Sequence, residues 1–242
     1  MRLNHTCPPW AGKGKNMKRS KRYRSIKEKI DKNKVYNIEE AVKLLVENAS
    51  AKFDESVEVH FKTTATPKQA DQQVRGTVVL PHGTGKEKKI AVFAEGEKAQ
   101  EAKDAGADLV GGEDLVAKIK QAKQADFDIS VATPDMMKKL AVIAKILGPK
   151  GLMPSPKTET VTMDIKKTVE QLKKGKLNFK NDDTGNIHQL VGKISFGNEK
   201  LKENAKAFIQ AVLDSKPSGV KGEFVKSITL TSTMGAGIRV SL

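Results

Sequence analysis

Few residues in this chain have the types and spacing to do chemistry, and those few point away from catalysis. The four histidines, His5, His60, His82 and His188, stand far apart with no metal-ligand spacing, and Cys7 is the single cysteine. Pro81-His82-Gly83-Thr84-Gly85-Lys86 has the look of a phosphate loop. A true one needs glycine at 80 and serine or threonine at 87, where this chain has Leu80 and Glu87. No G-x-G-x-x-G opens a helix further on, so the expectation is no cofactor, no metal and no enzyme.

Three other features suit binding. Lys52-Phe53 leads into a segment whose alternate residues Glu58, His60 and Lys62 are polar. A cation beside an exposed aromatic suits phosphate contact with packing on a ribose or base, although Phe53 could equally be core. Thr231-Ser232-Thr233-Met234-Gly235-Ala236-Gly237 combines hydroxyls, a flexible apolar side chain and glycines that permit close backbone approach. By itself it could also be a glycine-rich hairpin. Residues 148–158 set Lys150 and Lys157 in a stiff frame of three prolines and two glycines, a binding loop or a cap over a sheet.

The elements that must position these residues follow from hydrophobic period. Asn37-Ile38-Glu39-Glu40 reads as a capping box opening a helix over 38–50. Phe53 to Thr64 alternates as a half-buried strand, and Gly76 to Leu80 reads as another. From Ile90 the order becomes strand 90–93, helix 96–105, short strand 109–110, helix 113–124, strand 129–131 and a helix from Pro134 to about Leu147. That alternation implies a small parallel sheet covered on both faces. A basic helix over 164–174 ends at Gly175. Leu177–Phe179 and Ile187–Phe196 flank the hairpin signal Asp182-Asp183-Thr184-Gly185, and an amphipathic helix spans 198–214. Strands 228–233 and 238–240 close the chain.

The expected fold class is therefore mixed, with α+β character at both ends and α/β in the middle. The simplest arrangement is a discontinuous domain from residues 17–83 plus 176–242, with a Rossmann-like three-layer domain of residues 84–175 inserted through two crossings.

Net charge is +15 and the pI about 9.7, so the molecule's field attracts polyanions. Residues 1–36 hold 12 Lys and Arg against Glu28 and Asp31, a net of +10, which leaves only +5 for the other 206 residues. The charge sits in an arm, where Arg22-Tyr23-Arg24 interleaves an aromatic with cations. No stretch reaches the roughly 20 apolar residues of a membrane span, and the basic N-terminus lacks a signal-peptide core. The reading is a soluble cytoplasmic chain with no membrane partner. Met17 opens the dense basic segment and is the expected start, with residues 1–16 an unstructured extension.

Read in order, several segments resemble the bacterial L-one family of large-subunit ribosomal proteins. They are Ala51 to His60, Arg75 to Lys86, Gly106-Ala107-Asp108, Ala132 to Asp135, Ile146 to Pro154, Ile187-His188, Val191-Gly192-Lys193 and Thr233-Met234-Gly235. The likeness covers nearly everything from Met17 onward. It implies a two-domain ribosomal protein that binds large-subunit (23S) rRNA and forms the mobile stalk beside the exit site. It also implies assistance to deacylated tRNA release there, and repression of translation by binding its own mRNA. By position, the family's RNA-contacting residues fall on Lys52, Phe53, Ser56, Asp182, Thr184, Ser227, Thr233, Met234 and Gly235, with Glu58 on the same strand. Asp183 stands where many members carry lysine, and Ala236 where proline is common.

Two other classes share some of these features. A nucleotide-dependent enzyme on the parallel sheet would show saturable nucleotide binding. A general basic RNA-binding or architectural protein would lose its RNA to competing duplex DNA.

Overall fold

The computed structural model describes residues 20–31, 34–67, 70–86, 88–122, 125–217, 219–220 and 222–241. The expectations for residues 1–16 and for a start at Met17 lie outside these residues.

Helix α1 (Lys21–Lys29) begins where the Ser20 hydroxyl accepts the Tyr23 N–H. It buries Ile26, while Ile30 just beyond it is also buried. Part of the basic arm is thus a packed helix, which the charge count did not foresee. Helix α2 (Ile38–Asn48) buries Ala41, Val42 and Leu45 at helical spacing. Asn37 makes no side-chain cap bond, so the expected capping box does not close; Glu39 and Glu40 in the first turn still complement the helix dipole.

Strand β1 (Ser56–Thr63) buries Val57, Val59, Phe61 and Thr63 on one face. It starts three residues later than the alternation suggested and leaves Lys52 and Phe53 outside the strand. Strands β2 (Arg75–Val79), β3 (Ile90–Phe93), β4 (Leu109–Gly111) and β5 (Ile129–Ala132) follow, with α3 (Glu97–Asp104) and α4 (Glu113–Ala122) between the last three. The expected helix from 134 to 147 is broken into α5 (Pro134–Leu140), a 3-10 turn at Ala141–Ile143 and α6 (Ala144–Leu147). The break keeps Leu140, Ile143 and Leu147 fully buried and Val142 in solvent. Helix α7 (Ile165–Lys173), β6 (Lys176–Lys180), β7 (Asn186–Lys193), α8 (Gly197–Asp214), β8 (Val225–Ser232) and β9 (Ile238–Val240) complete the chain. Strand β7 stops at Lys193 rather than Phe196, because Asp54 accepts the Ser195 N–H at 3.1 Å and its hydroxyl at 2.8 Å and turns the chain into a 3-10 segment.

Three sheets form. The first has the order β7-β1-β8-β9, all antiparallel, with α2 packed on α8 and both against it. The second pairs β2 with β6. Asp182–Gly185 turns tightly as expected, closed by an antiparallel bridge from Asn181 to Ile187, but beyond that bridge the flanking strands part into different sheets. Phe179 explains the parting: its ring lies over Gly76 of β2 and meets Phe208 edge-on, which registers β6 on β2. The third sheet is parallel, in the order β4-β3-β5.

Alternate residues of β3 feed opposite faces of this parallel sheet. Ala91 and Phe93 pack with α4, α5 and α6 residues, while Ile90 and Val92 pack with Ala102 of α3 and with Ile165, Val169 and Leu172 of α7. A separate cluster joins residues between Ile26 and Leu80 to residues between Leu177 and Val240. The proline-glycine loop caps the parallel sheet: Leu152 and Met153 pack on its core, and the Ser130 hydroxyl donates to the Leu152 carbonyl.

Candidate nucleic-acid interface

The first sheet has helices on one face and polar side chains on the other. Register places Leu190, Glu58 and Thr231 in one row, His188, His60, Thr229 and Arg239 in the next, and Asn186, Lys62 and Ser227 in a third. Odd-numbered residues of β1 and Ile228, Leu230 and Ser232 of β8 are buried beneath them. From Ser56 to Lys62 the strand spans about 20 Å.

The residues expected to touch RNA fall into two groups at the ends of this face. At one end, Lys52 and Phe53 precede β1, Ser56 opens it, and Thr233, Met234 and Gly235 turn away from β8. Phe53 is 54% exposed and Met234 48%, so the choice left open for Phe53 falls against the core. Thr233 ties this end together: its hydroxyl accepts the Ser56 N–H at 3.0 Å, and its own N–H donates to the Ser56 carbonyl at 3.0 Å. Gly235 leaves no room for a side chain, since a Cβ there would lie 2.4 Å from the Ser232 hydroxyl. Ala236, standing where proline is common, is buried. From α1, the Arg22 guanidinium donates to the Met234 carbonyl at 3.4 Å.

At the other end lie Asp182, Thr184 and Ser227. The Asp182 carboxylate accepts the Thr184 N–H and hydroxyl and the Asn186 N–H within 3.0 Å. Burial pushes that carboxyl up, but these hydrogen bonds and His188 outweigh it and hold it below its ordinary value. Gly185 completes the turn at φ 83°, with its carbonyl accepting the Thr63 hydroxyl. Ser227 sits opposite Lys62 in the third row.

Glu58 and a histidine pair occupy the middle. His60 and His188 meet with Nδ1 atoms 2.8 Å apart and rings edge to face, and Glu58 and Asp182 lie 3.7 and 3.6 Å from their outer nitrogens. Burial, then the neighbouring His188, pushes the His60 pKa down. Sequence reading noted His60 on a polar face but did not pair it with a residue 128 positions away. Thr229 and Arg239 of the same row were also missed, because only the register of β8 and β9 puts them there.

Among the described residues no group of three His, Cys, Asp or Glu side chains is arranged to hold a metal ion. No described helix is long and apolar enough to cross a membrane. A cleft of about 930 Å³ is bordered by Thr84, Lys86, Lys88 and Lys174. Burial depresses the Lys88 pKa there, aided by the charge on Lys86 and opposed by Asp128.

Fold and face together define a class, a mixed α/β protein with one antiparallel sheet face left open and largely polar. Comparison with known sequences gives its lineage. The ribosomal protein L1p/L10e family matches residues 45–236. Similar proteins include the large ribosomal subunit protein uL1 of Thermosipho africanus, 54% identical over 223 residues that cover 92% of this chain and 96% of that one. The protein of the same description from Fervidobacterium nodosum is 52% identical over 225 residues, 93% of this chain and 96% of its own. That from Cutibacterium acnes is 53% identical over 224 residues, with the same coverage. The chain belongs to the ribosomal protein L1p/L10e family.

Proposed function

We propose that this protein binds large-subunit rRNA through the open face of its antiparallel sheet and serves as a structural constituent of the large ribosomal subunit in the cytoplasm. The observation that carries the reading is the exposure of Phe53 and Met234, two large apolar side chains, beside a polar sheet face that includes Ser227, Thr229 and Thr231. Folded RNA offers a shallow groove of 2′-hydroxyls and base edges, which such a surface fits better than it fits the phosphates alone. Lys52, Phe53, Ser56, Thr233, Met234 and Gly235 form one contact group. Asp182, Thr184 and Ser227 form the other, with Glu58 between them.

The division of labour follows the separation of cores. Residues 17–83 and 176–242 form the RNA-binding domain, and residues 84–175 form an inserted α/β domain joined through two crossings. While the first domain holds rRNA, the second swings with the stalk beside the exit site and assists release of deacylated tRNA. Free protein binds its own mRNA at a mimic of the ribosomal site and represses its translation. The basic N-terminal segment adds salt-dependent attraction without choosing a sequence.

Chemical footprinting on naked large-subunit rRNA tests the reading. A single compact protected region that survives excess duplex DNA is expected. Diffuse protection that the DNA abolishes would make the protein a general polyanion binder instead.

A further inference from the structure

Glu55 is not on the polar face. It is 3% exposed, directly under the end of the sheet where Phe53 and Met234 emerge. Its Oε2 accepts the Ser232 hydroxyl at 2.6 Å and the Met234 N–H at 3.2 Å, and its Oε1 accepts the Ala51 N–H at 3.1 Å. Ala51 immediately precedes Lys52-Phe53, so one carboxylate grips both this segment and the turn at Met234, 179 residues from Glu55 in sequence. A shape-filling apolar side chain would leave all three donors without a partner. Burial alone would raise the carboxyl, yet the bonds from Ser232, Met234 and Ala51, with the Arg22 charge, keep it below its ordinary value. The anion is therefore the form that holds the site.

We propose that Glu55 is a positioning residue for RNA recognition, its buried carboxylate fixing the Ala51–Phe53 segment and the Ser232–Gly235 turn in one relative geometry. The proposal rests on the reading of Phe53 and Met234 as RNA contacts. Neither side chain is held by the core, so the backbone beneath them must set where they point. Glutamine at 55 keeps the shape but has one acceptor oxygen. Its amide NH₂ must face either the Ala51 N–H or the Met234 N–H, donor to donor, and one segment is released.

The test is a mutant cycle on the full chain, with affinity measured for a large-subunit rRNA fragment. Glu55→Gln is expected to weaken binding roughly tenfold or more, with an unchanged salt slope and a far-UV spectrum like that of the parent. In a Phe53→Ala/Met234→Ala background the same change should cost little further, because there is nothing left to position. Ser232→Ala removes one bond without stranding the carboxylate and should show the same coupling with a smaller loss, which keeps the test open if Glu55→Gln does not fold. If Phe53→Ala and Met234→Ala weaken binding while the Glu55→Gln and Ser232→Ala losses add fully to theirs, or are absent, Glu55 is not a positioning residue. If Phe53→Ala and Met234→Ala themselves bind like the parent, the interface reading fails first and takes this proposal with it.

Discussion

His60 and His188 face each other across neighbouring strands with their Nδ1 atoms 2.8 Å apart, near enough that one ring donates to the other. Both Nδ1 atoms cannot carry protons at that distance, so at least one ring is neutral in the folded state. Burial and His188 lower the folded-state pKa of His60 below its usual value near 6.5. A depressed histidine pKa means the unfolded chain takes up the proton more readily. The pair's contribution is therefore present above about pH 6.5 and is lost as pH falls through the lower folded value. Urea unfolding between pH 7.5 and 5.5 should show stability declining, and His188→Gln should flatten part of that decline. A decline equally steep in His188→Gln would show that the pair does not carry it.

Met234 offers a cleaner probe of the interface than Thr233. The Thr233 hydroxyl holds the start of β1 through Ser56, so Thr233→Val changes the scaffold together with the surface. The Met234 side chain is half exposed. Met234→Ala should cost roughly 1–3 kcal/mol of specific rRNA binding, leave the salt slope unaltered and shift unfolding stability by less than about 0.5 kcal/mol. Isothermal titration at three salt concentrations with parallel denaturation separates these quantities. If affinity falls only when basic residues of the N-terminal segment are removed, the apolar contact has no role.

Gly185 sets the other end of the face. Its φ of 83° suits glycine, and a Cβ there would lie 2.3 Å from the Ala65 carbonyl oxygen, a backbone atom with no freedom to yield. Gly185→Ala should destabilise the protein by about 1–3 kcal/mol, and the amide resonances of Asp182 to Asn186 should shift together. An unshifted turn in a fully stable variant would show that the position is not strained.

How much of this was legible in the sequence depended on range. The two-residue period found β1, and the apolar run of Ile90–Phe93 with its flanking helices announced a parallel sheet. Local pattern could not say whether Phe53 was core, because that depends on β1 beginning at Ser56 rather than Phe53. Nor could it pair His60 with His188 or place Arg239 beside Thr229, since register is a tertiary outcome. The Asp182–Gly185 turn was visible, but the rivalry between β7 and β2 for β6 is settled by Phe179 against Gly76 and Phe208. Ser20 with Ile26 and Ile30 would have marked α1, had the lysines not drawn the reading toward a solvated arm.

Asn204 shows a polar residue hidden in an apolar stripe. On α8 it lies between Leu201 and Ala205 and is completely buried. Its amide donates to the Gly83 carbonyl at 2.9 Å and the Val191 carbonyl at 2.8 Å, and its oxygen accepts the His82 N–H at 3.1 Å. The first crossing is thereby pinned to the helix. Asn204→Ala removes three bonds and leaves the buried Val191 carbonyl without this partner, at a cost of about 1–3 kcal/mol in urea unfolding. Stability within error of the parent would mean that the crossing finds other partners.

The chain segments at Gly83 and Gly175 also touch each other. A Cβ on Gly175 would lie 2.5 Å from the Gly83 Cα, and the Leu80 N–H points at the Gly175 carbonyl at 3.4 Å. The chain leaves and returns at nearly one point, so a short linker can replace everything between. The cluster that includes Val57, Phe61, Phe208 and Leu230 draws no buried residue from between Leu80 and Leu177. Removing residues 84–175 and joining the ends should therefore leave that core cooperative and rRNA affinity largely kept. Thermal unfolding by near-UV circular dichroism establishes the fold, and binding to the rRNA fragment then reads the site. A folded variant that no longer binds would place RNA contacts in the removed segment and overturn the division; one with affinity near the parent's would assign recognition to the domain made from both ends of the chain.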